Sequence, residues 1–82
     1  MEQIGRTAKQ IGAVIRRCRR NRGMTQTNLG VKTNLRQATI SALENGEPGV
    51  KVRTLIDVMV ALNLEMVIRE RSKSGQEIED LF

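Results

Sequence analysis

The chain predicts a mainly α fold, a compact bundle of four to five short helices, completed by a C-terminal β-strand that pairs across a homodimer. Three observations lead there. Apolar side chains recur at helical spacing through most of the sequence, while the breakers Gly23, Asn34 and Gly46-Glu47-Pro48-Gly49 separate the helical stretches. Only near the end does the period change to two, where Leu64, Met66 and Ile68 alternate with Glu65, Val67 and Arg69. A single strand after an all-helical body has no partner in its own chain. Its backbone groups are best paired by the same segment of a second copy in a two-fold, antiparallel arrangement. The alternative is one more helical turn with a frayed end, since Glu, Met and Arg are good helix formers.

Each element has its own reasons. Residues 1–6 read as a flexible arm, after which Thr7 and Gln10 form a capping box that opens the first helix. Ile11, Val14, Ile15 and Cys18 fall at i, i+3, i+4 and i+7, one buried stripe, so Cys18 reads as packing rather than as a redox sensor. Arg16, Arg17 and Arg20 project from the opposite face as a solvated surface, whereas Arg19 lies at the edge of the apolar stripe. The last helix, roughly 52–62, is expected to turn Val52, Leu55, Ile56, Met59 and Leu62 to the core. Val58 and Val60 are left over, and with Met66, Val67 and Ile68 they are the expected dimerisation residues.

Residues 25–46 read as two short helices joined by a tight turn. Thr25 suits an N-cap and leaves the Gln26 side chain at a helix N-terminus, a position favourable to a phosphate. Leu29 anchors the first of the pair, Gly30 signals close packing, and Asn34 tolerates the left-handed backbone of the turn. Leu35, Ile40 and Leu43 then face inward. Arg36, Gln37, Ala38, Thr39 and Ser41 remain outside. In a major groove Gln37 can bond bidentately to adenine, the Ala38 methyl can touch a thymine methyl, and Arg36, Thr39 and Ser41 can reach phosphates or base edges. Asn45, just before the loop, can contact a phosphate. An ordinary pair of core helices with a solvated polar face would show much of the same pattern.

With Arg16–Met24 before it, this stretch resembles the Xre/Cro-type helix-turn-helix family: Gly23, Thr25-Gln26, Leu29, Ile40-Ser41 and Glu44-Asn45-Gly46 stand at matching positions over about residues 8–64. Gly30 replaces the usual alanine, Asn34 the usual turn glycine, and Thr33 an apolar residue. The resemblance implies a double-stranded DNA-binding repressor and an ion pair between Arg19 and Glu44. Gln37-Ala38-Thr39-Ile40-Ser41 and the segment after Leu62-Asn63-Leu64 are similar to the HipB antitoxin and autorepressor subgroup. That likeness implies a homodimer on an inverted-repeat operator and a HipA-like kinase toxin as partner. Relatives of this kind also include solitary phage or mobile-element repressors, and a protein-interaction module with secondary DNA binding is the rival from another class.

Charge and composition agree with this reading. Residues 1–64 hold 11 Lys/Arg against 4 Asp/Glu, and residues 65–82 hold 3 against 5, so a basic body suited to a polyanion precedes an acidic tail. So small a domain buries only about 60% of its unfolded surface, which favours a second subunit. With no histidine, no tryptophan, no tyrosine and a single phenylalanine, the stacking platforms of single-strand binders are missing and duplex DNA is favoured. One cysteine and no phosphate loop suggest no enzyme, metal or cofactor. No apolar run reaches membrane length, so a cytoplasmic protein is expected. The divisions are therefore 1–6 arm, 7–64 helix-turn-helix domain, 65–71 dimerisation strand and 72–82 acidic, disordered tail. Ile78, Leu81 and Phe82 are candidates for docking on a protein partner.

Overall fold

A computed structural model describes residues 2–71 and has four helices: α1 (Ala8–Asn21), α2 (Gln26–Thr33), α3 (Gln37–Glu44) and α4 (Val52–Ala61). The Thr7 hydroxyl caps α1 by accepting from Gln10 N at 3.0 Å, but the Gln10 side chain accepts from Arg6 N, one residue before the cap. The reciprocal box is complete at α2. There Thr25 Oγ1 accepts from Asn28 N and Asn28 Oδ1 accepts from Thr25 N, both at 3.0 Å, satisfying two amides that the helix start leaves unpaired.

All four helices stop in the same way. Gly23, Asn34, Gly46 and Asn63 follow their ends with φ between 56° and 68°. The next residue in each case donates back across the turn: Met24 N to Arg19 O, Leu35 N to Gly30 O, Glu47 N to Ala42 O and Leu64 N to Met59 O, at 2.8–3.2 Å. These are the bonds that satisfy carbonyls orphaned at a helix C-terminus. The short helices thus have defined ends, and the αL turns set the angles at which they pack.

The core is Ile15, Cys18, Leu29, Ile40, Leu43, Val58 and Leu62, with Val14, Met24, Leu35, Leu55, Met59 and Leu64 packed against it. Cys18 is buried within it. Thr33 costs little in its half-buried place, because its hydroxyl donates to Leu29 O at 2.7 Å. Two close approaches depend on glycine. A Cβ at Gly30 would lie 2.7 Å from Leu35 O, and one at Gly12 would meet the Leu43 and Glu44 carbonyls at the end of α3.

Two expectations about α4 need correction. Val58, expected at a subunit interface, is fully buried, while Val52 and Ile56, expected in the core, are exposed. The apolar residues of α4 cover an arc of about 200° at 100° per residue, wider than one contact can bury. Packing against α2 takes the half centred on Leu55, Val58, Met59 and Leu62. Val52, Ile56 and Val60 then form a second stripe at i, i+4 and i+8, facing outward.

The strand expected over residues 65–71 is not formed: among the described residues there is no β-strand, and residues 64–71 have no regular secondary structure, since a single chain offers them no ladder partner. Met66, Val67 and Ile68 are exposed, Ile68 at 92%. Ahead of α1, the chain is held on one side by Arg17, whose Nη1 donates to Gln3 Oε1, and on the other by a Glu2–Arg69 ion pair at 2.9 Å.

Candidate nucleic-acid interface

The arc of α3 left outside the core carries its polar residues. Ile40, Leu43 and Glu44 turn inward. At 100° per residue Ala38, Ser41 and Asn45 then share the outward face, with Gln37 at its α2 edge and Thr39 at the opposite edge, half-buried. Gln37 and Ala38 are exposed in the first turn, and Arg36 is the N-cap without a side-chain capping bond, so its guanidinium is not spent on the helix. Asn45, the C-cap, donates through Nδ2 to Ser41 Oγ at 3.4 Å.

Gln37 does not project alone. Its Nε2 donates to Gln26 Oε1 at 3.4 Å, and its Oε1 accepts from Thr27 Oγ1 at 3.5 Å. Gln26 Nε2 donates in turn to Glu44 Oε1 at 3.2 Å, and Arg19 closes the chain with a two-point grip on Glu44, Nε to Oε2 at 2.6 Å and Nη2 to Oε1 at 2.9 Å. The bonds shorten from the surface inward. Those at Gln37 are long and therefore weak, so a ligand edge can replace them, while those at Arg19 are short and charge-assisted.

The inner end is a fixed post. The Arg19 and Glu44 side chains are 8% and 1% exposed, and Arg19 Nη1 also donates to Met24 O at 2.7 Å. No buried side-chain nitrogen or oxygen among the described residues lacks a partner. Burial alone would raise the Glu44 carboxyl, but the bonds from Arg19 and Gln26 and the charges of Arg19 and Arg16 outweigh it and hold the group below the ordinary carboxylate range. The bond to Glu44 raises Arg19 against the opposing effect of its own burial.

Thr25, Gln26, Arg36, Gln37, Ala38, Ser41 and Asn45 are thus gathered around the start of α2 and the outer side of α3. Two further residues escape a reading of the sequence: Thr27, which joins this network at Gln37, and Asn28, which completes the Thr25 capping box. The signal for Asn28 is a side-chain acceptor three residues after an N-cap threonine, whereas Thr27 meets Gln37 only through the packing of α2 on α3. Ile78, Leu81 and Phe82 lie outside the described residues.

Two helices across a tight αL turn, with a polar second helix set outward, define a helix-turn-helix module. Residues 15–68 match the helix-turn-helix family, and the chain belongs to it, in its Xre/Cro-type form. Antitoxin HipB from Escherichia coli O6:H1 is 28% identical over 68 residues, 83% of this chain and 72% of that protein; antitoxin HipB from Escherichia coli strain K12 is 28% identical over the same share of this chain and 77% of its own length. Among solved structures, a HipB variant in its O2 20mer complex matches with a TM-score of 0.80 at 26% identity, covering 88% of this chain and all of that one. HipB in a HipA-HipB-O2-O3 complex matches at 0.77, with the same identity and coverage.

Proposed function

We propose that this chain is a dimeric transcriptional repressor of the HipB antitoxin type, reading an inverted-repeat operator in duplex DNA through α3. The observation that carries this reading is the hydrogen-bond chain from Arg19 through Glu44 and Gln26 to Gln37. It anchors an exposed amide to a buried ion pair at the start of the outward helix, so that Gln37 meets a base edge already oriented. Gln26 and Thr25 at the α2 N-terminus, with Arg36 and Asn45, contact the backbone; Ala38, Thr39 and Ser41 flank the reading position. HipB, which this chain resembles, occurs in an O2 20mer complex and in a HipA-HipB-O2-O3 complex, which supports two partners here: DNA, and a HipA-like toxin whose operon this chain would autorepress.

Gln37→Ala is expected to relax preference at one base pair per half-site by about 1–3 kcal/mol, whereas Gln26→Ala weakens every sequence alike. Binding to a set of single-base variants of a selected duplex distinguishes the two. Equal losses on all variants for Gln37→Ala would take it out of the reading role.

Dimerisation is supported by the outward stripe Val52, Ile56 and Val60 and by the neighbouring Met66, Val67 and Ile68, all exposed in the single chain. A second copy covers them, and pairing of residues 65–71 with their counterparts gives their backbone groups ladder partners. Val60→Asp, at a position already 72% exposed in the single chain, should lower the sedimenting mass toward one chain and weaken operator binding with it. An unchanged dimer would show that α4 does not form the interface.

A further inference from the structure

We propose that the outer stripe of α1 is a second backbone-binding surface, in which Lys9, Arg16 and Arg20, with Asn45, seat phosphates of the same duplex that α3 reads. The proposal rests on the DNA-binding reading above and extends it to a second face of the domain. On sequence alone these cations are a solvated helix face. The fold sets them instead around an open concavity of about 510 Å³, whose lining includes Lys9, Arg16, Arg17, Arg20, Asn21 and Asn45.

The positive charge there exceeds what Glu44, which interacts with both Arg19 and Arg16, can offset. Among the described residues Glu44 is the one acidic residue lining the concavity, and its oxygens are already taken by Arg19 and Gln26 while its side chain is 1% exposed. Arg17 is engaged by the neutral amide of Gln3, which leaves its charge intact. The Lys9, Arg16 and Arg20 side chains have no hydrogen-bond or ion-pair partner among the described residues. Like charges at i and i+4, such as Arg16 and Arg20, cost an isolated helix a few tenths of a kcal/mol, a cost that a bound anion reverses.

Position and length select the anion. The concavity adjoins the reading surface on two sides: Asn45, bonded to Ser41, is the C-cap of α3, and Glu44 is the group on which Gln26 rests. Lys9 to Arg20 is eleven residues, about 16 Å along a helix. A DNA strand carries a phosphate every ~3.4 Å of axis, so the row is long enough for more than one. Arginine forks match phosphate oxygens in pairs. An open, unenclosed shape without an aromatic wall suits a polymer backbone lying across it and gives a small nucleotide no base pocket.

The test compares the full chain with Arg16→Gln/Arg20→Gln on two duplexes, one enriched by the wild-type chain from a randomised pool and one unrelated, over roughly 50 to 200 mM salt. The slope of log affinity against log salt should flatten by about 0.9 for each phosphate that is no longer neutralised, so by about 1.8 for the double variant, on both duplexes and with base preference unchanged. Arg16→Lys/Arg20→Lys keeps the charges and should keep the wild-type slope. That arm guards against a variant that simply fails to fold. An unchanged slope for the glutamine variant, or a weakening confined to the selected duplex, overturns the proposal. A wild-type chain that binds neither duplex would end the DNA reading itself, whereas wild-type binding with equal slopes ends only the role of the concavity.

Discussion

Glu44→Gln is expected to destabilise the fold by about 3–5 kcal/mol, the usual loss when one member of a buried pair is removed and the other charge is left without its partner. Arg19 would keep Met24 O and at most one amide oxygen of the new side chain, losing the second acceptor and the opposite charge in a site where it is 8% exposed. For a domain of this size each kcal/mol moves the melting temperature by about 4–8 °C, so the change is well within the range of a thermal scan. Replacing both residues by apolar ones of similar volume should recover much of the loss, because the desolvation of two charges is then no longer incurred. Strictly additive losses in the two single variants and the double variant would show that the pair is not coupled.

The same pair sets a pH dependence with a defined sign. The folded Glu44 carboxyl lies below its unfolded value, which is about 4.3 for an unperturbed glutamate. Its contribution is therefore complete above that value and is lost as pH falls through the lower folded one. Wild-type stability should drop over that acid window, and the Glu44→Gln variant should lack this component of the drop. Since Gln26 rests on Glu44, protonation also slackens the support of Gln37.

Gly12→Ala is expected to cost about 3 kcal/mol, at or above the upper end of ordinary overpacking. Helix propensity alone predicts the opposite sign, a gain of about 1 kcal/mol for alanine inside a helix. The new Cβ would meet Leu43 O and would lie 2.5 Å from Glu44 O, both main-chain atoms that cannot swing aside. Relief requires α1 and the end of α3 to part. That displacement would pull Glu44 from Arg19 and would open the contact at Gly46, where a Cβ would lie 2.5 Å from Lys9 Cα. Urea unfolding decides it, and a Gly12→Ala chain as stable as wild type would mean that the two helices have room to spare.

Much of the module is local and so was legible. Thr7, Thr25 and Asn34 announce helix starts and a turn by their own backbone and side-chain chemistry, and the Ile11, Val14, Ile15 and Cys18 stripe needs only the helical period. Gln37 and Ala38 follow from their place at the start of a helix whose apolar residues fall on the other side. The partnership of Arg19 with Glu44 came from family likeness, since nothing in residues 25 apart announces that they meet.

Legible from the chain alone were the helical stretches with the Thr7 and Thr25 caps, the αL residue at Asn34, and the polar character of the α3 surface, because each depends on neighbours within a turn or two. Tertiary structure alone decided which half of α4 is inside, so that Val58 is core while Val52 and Ile56 face out. It also decided that Gly12 must remain a glycine, that Thr27 and Gln26 hold Gln37 from either side, and that the α1 cations surround a concavity beside Asn45. The physical reason is common to all of these. Where apolar residues cover more of a helix than one neighbour can bury, or where two backbones touch, the outcome depends on crossing angles and distances between elements far apart in the chain, and no periodicity within a single element records them.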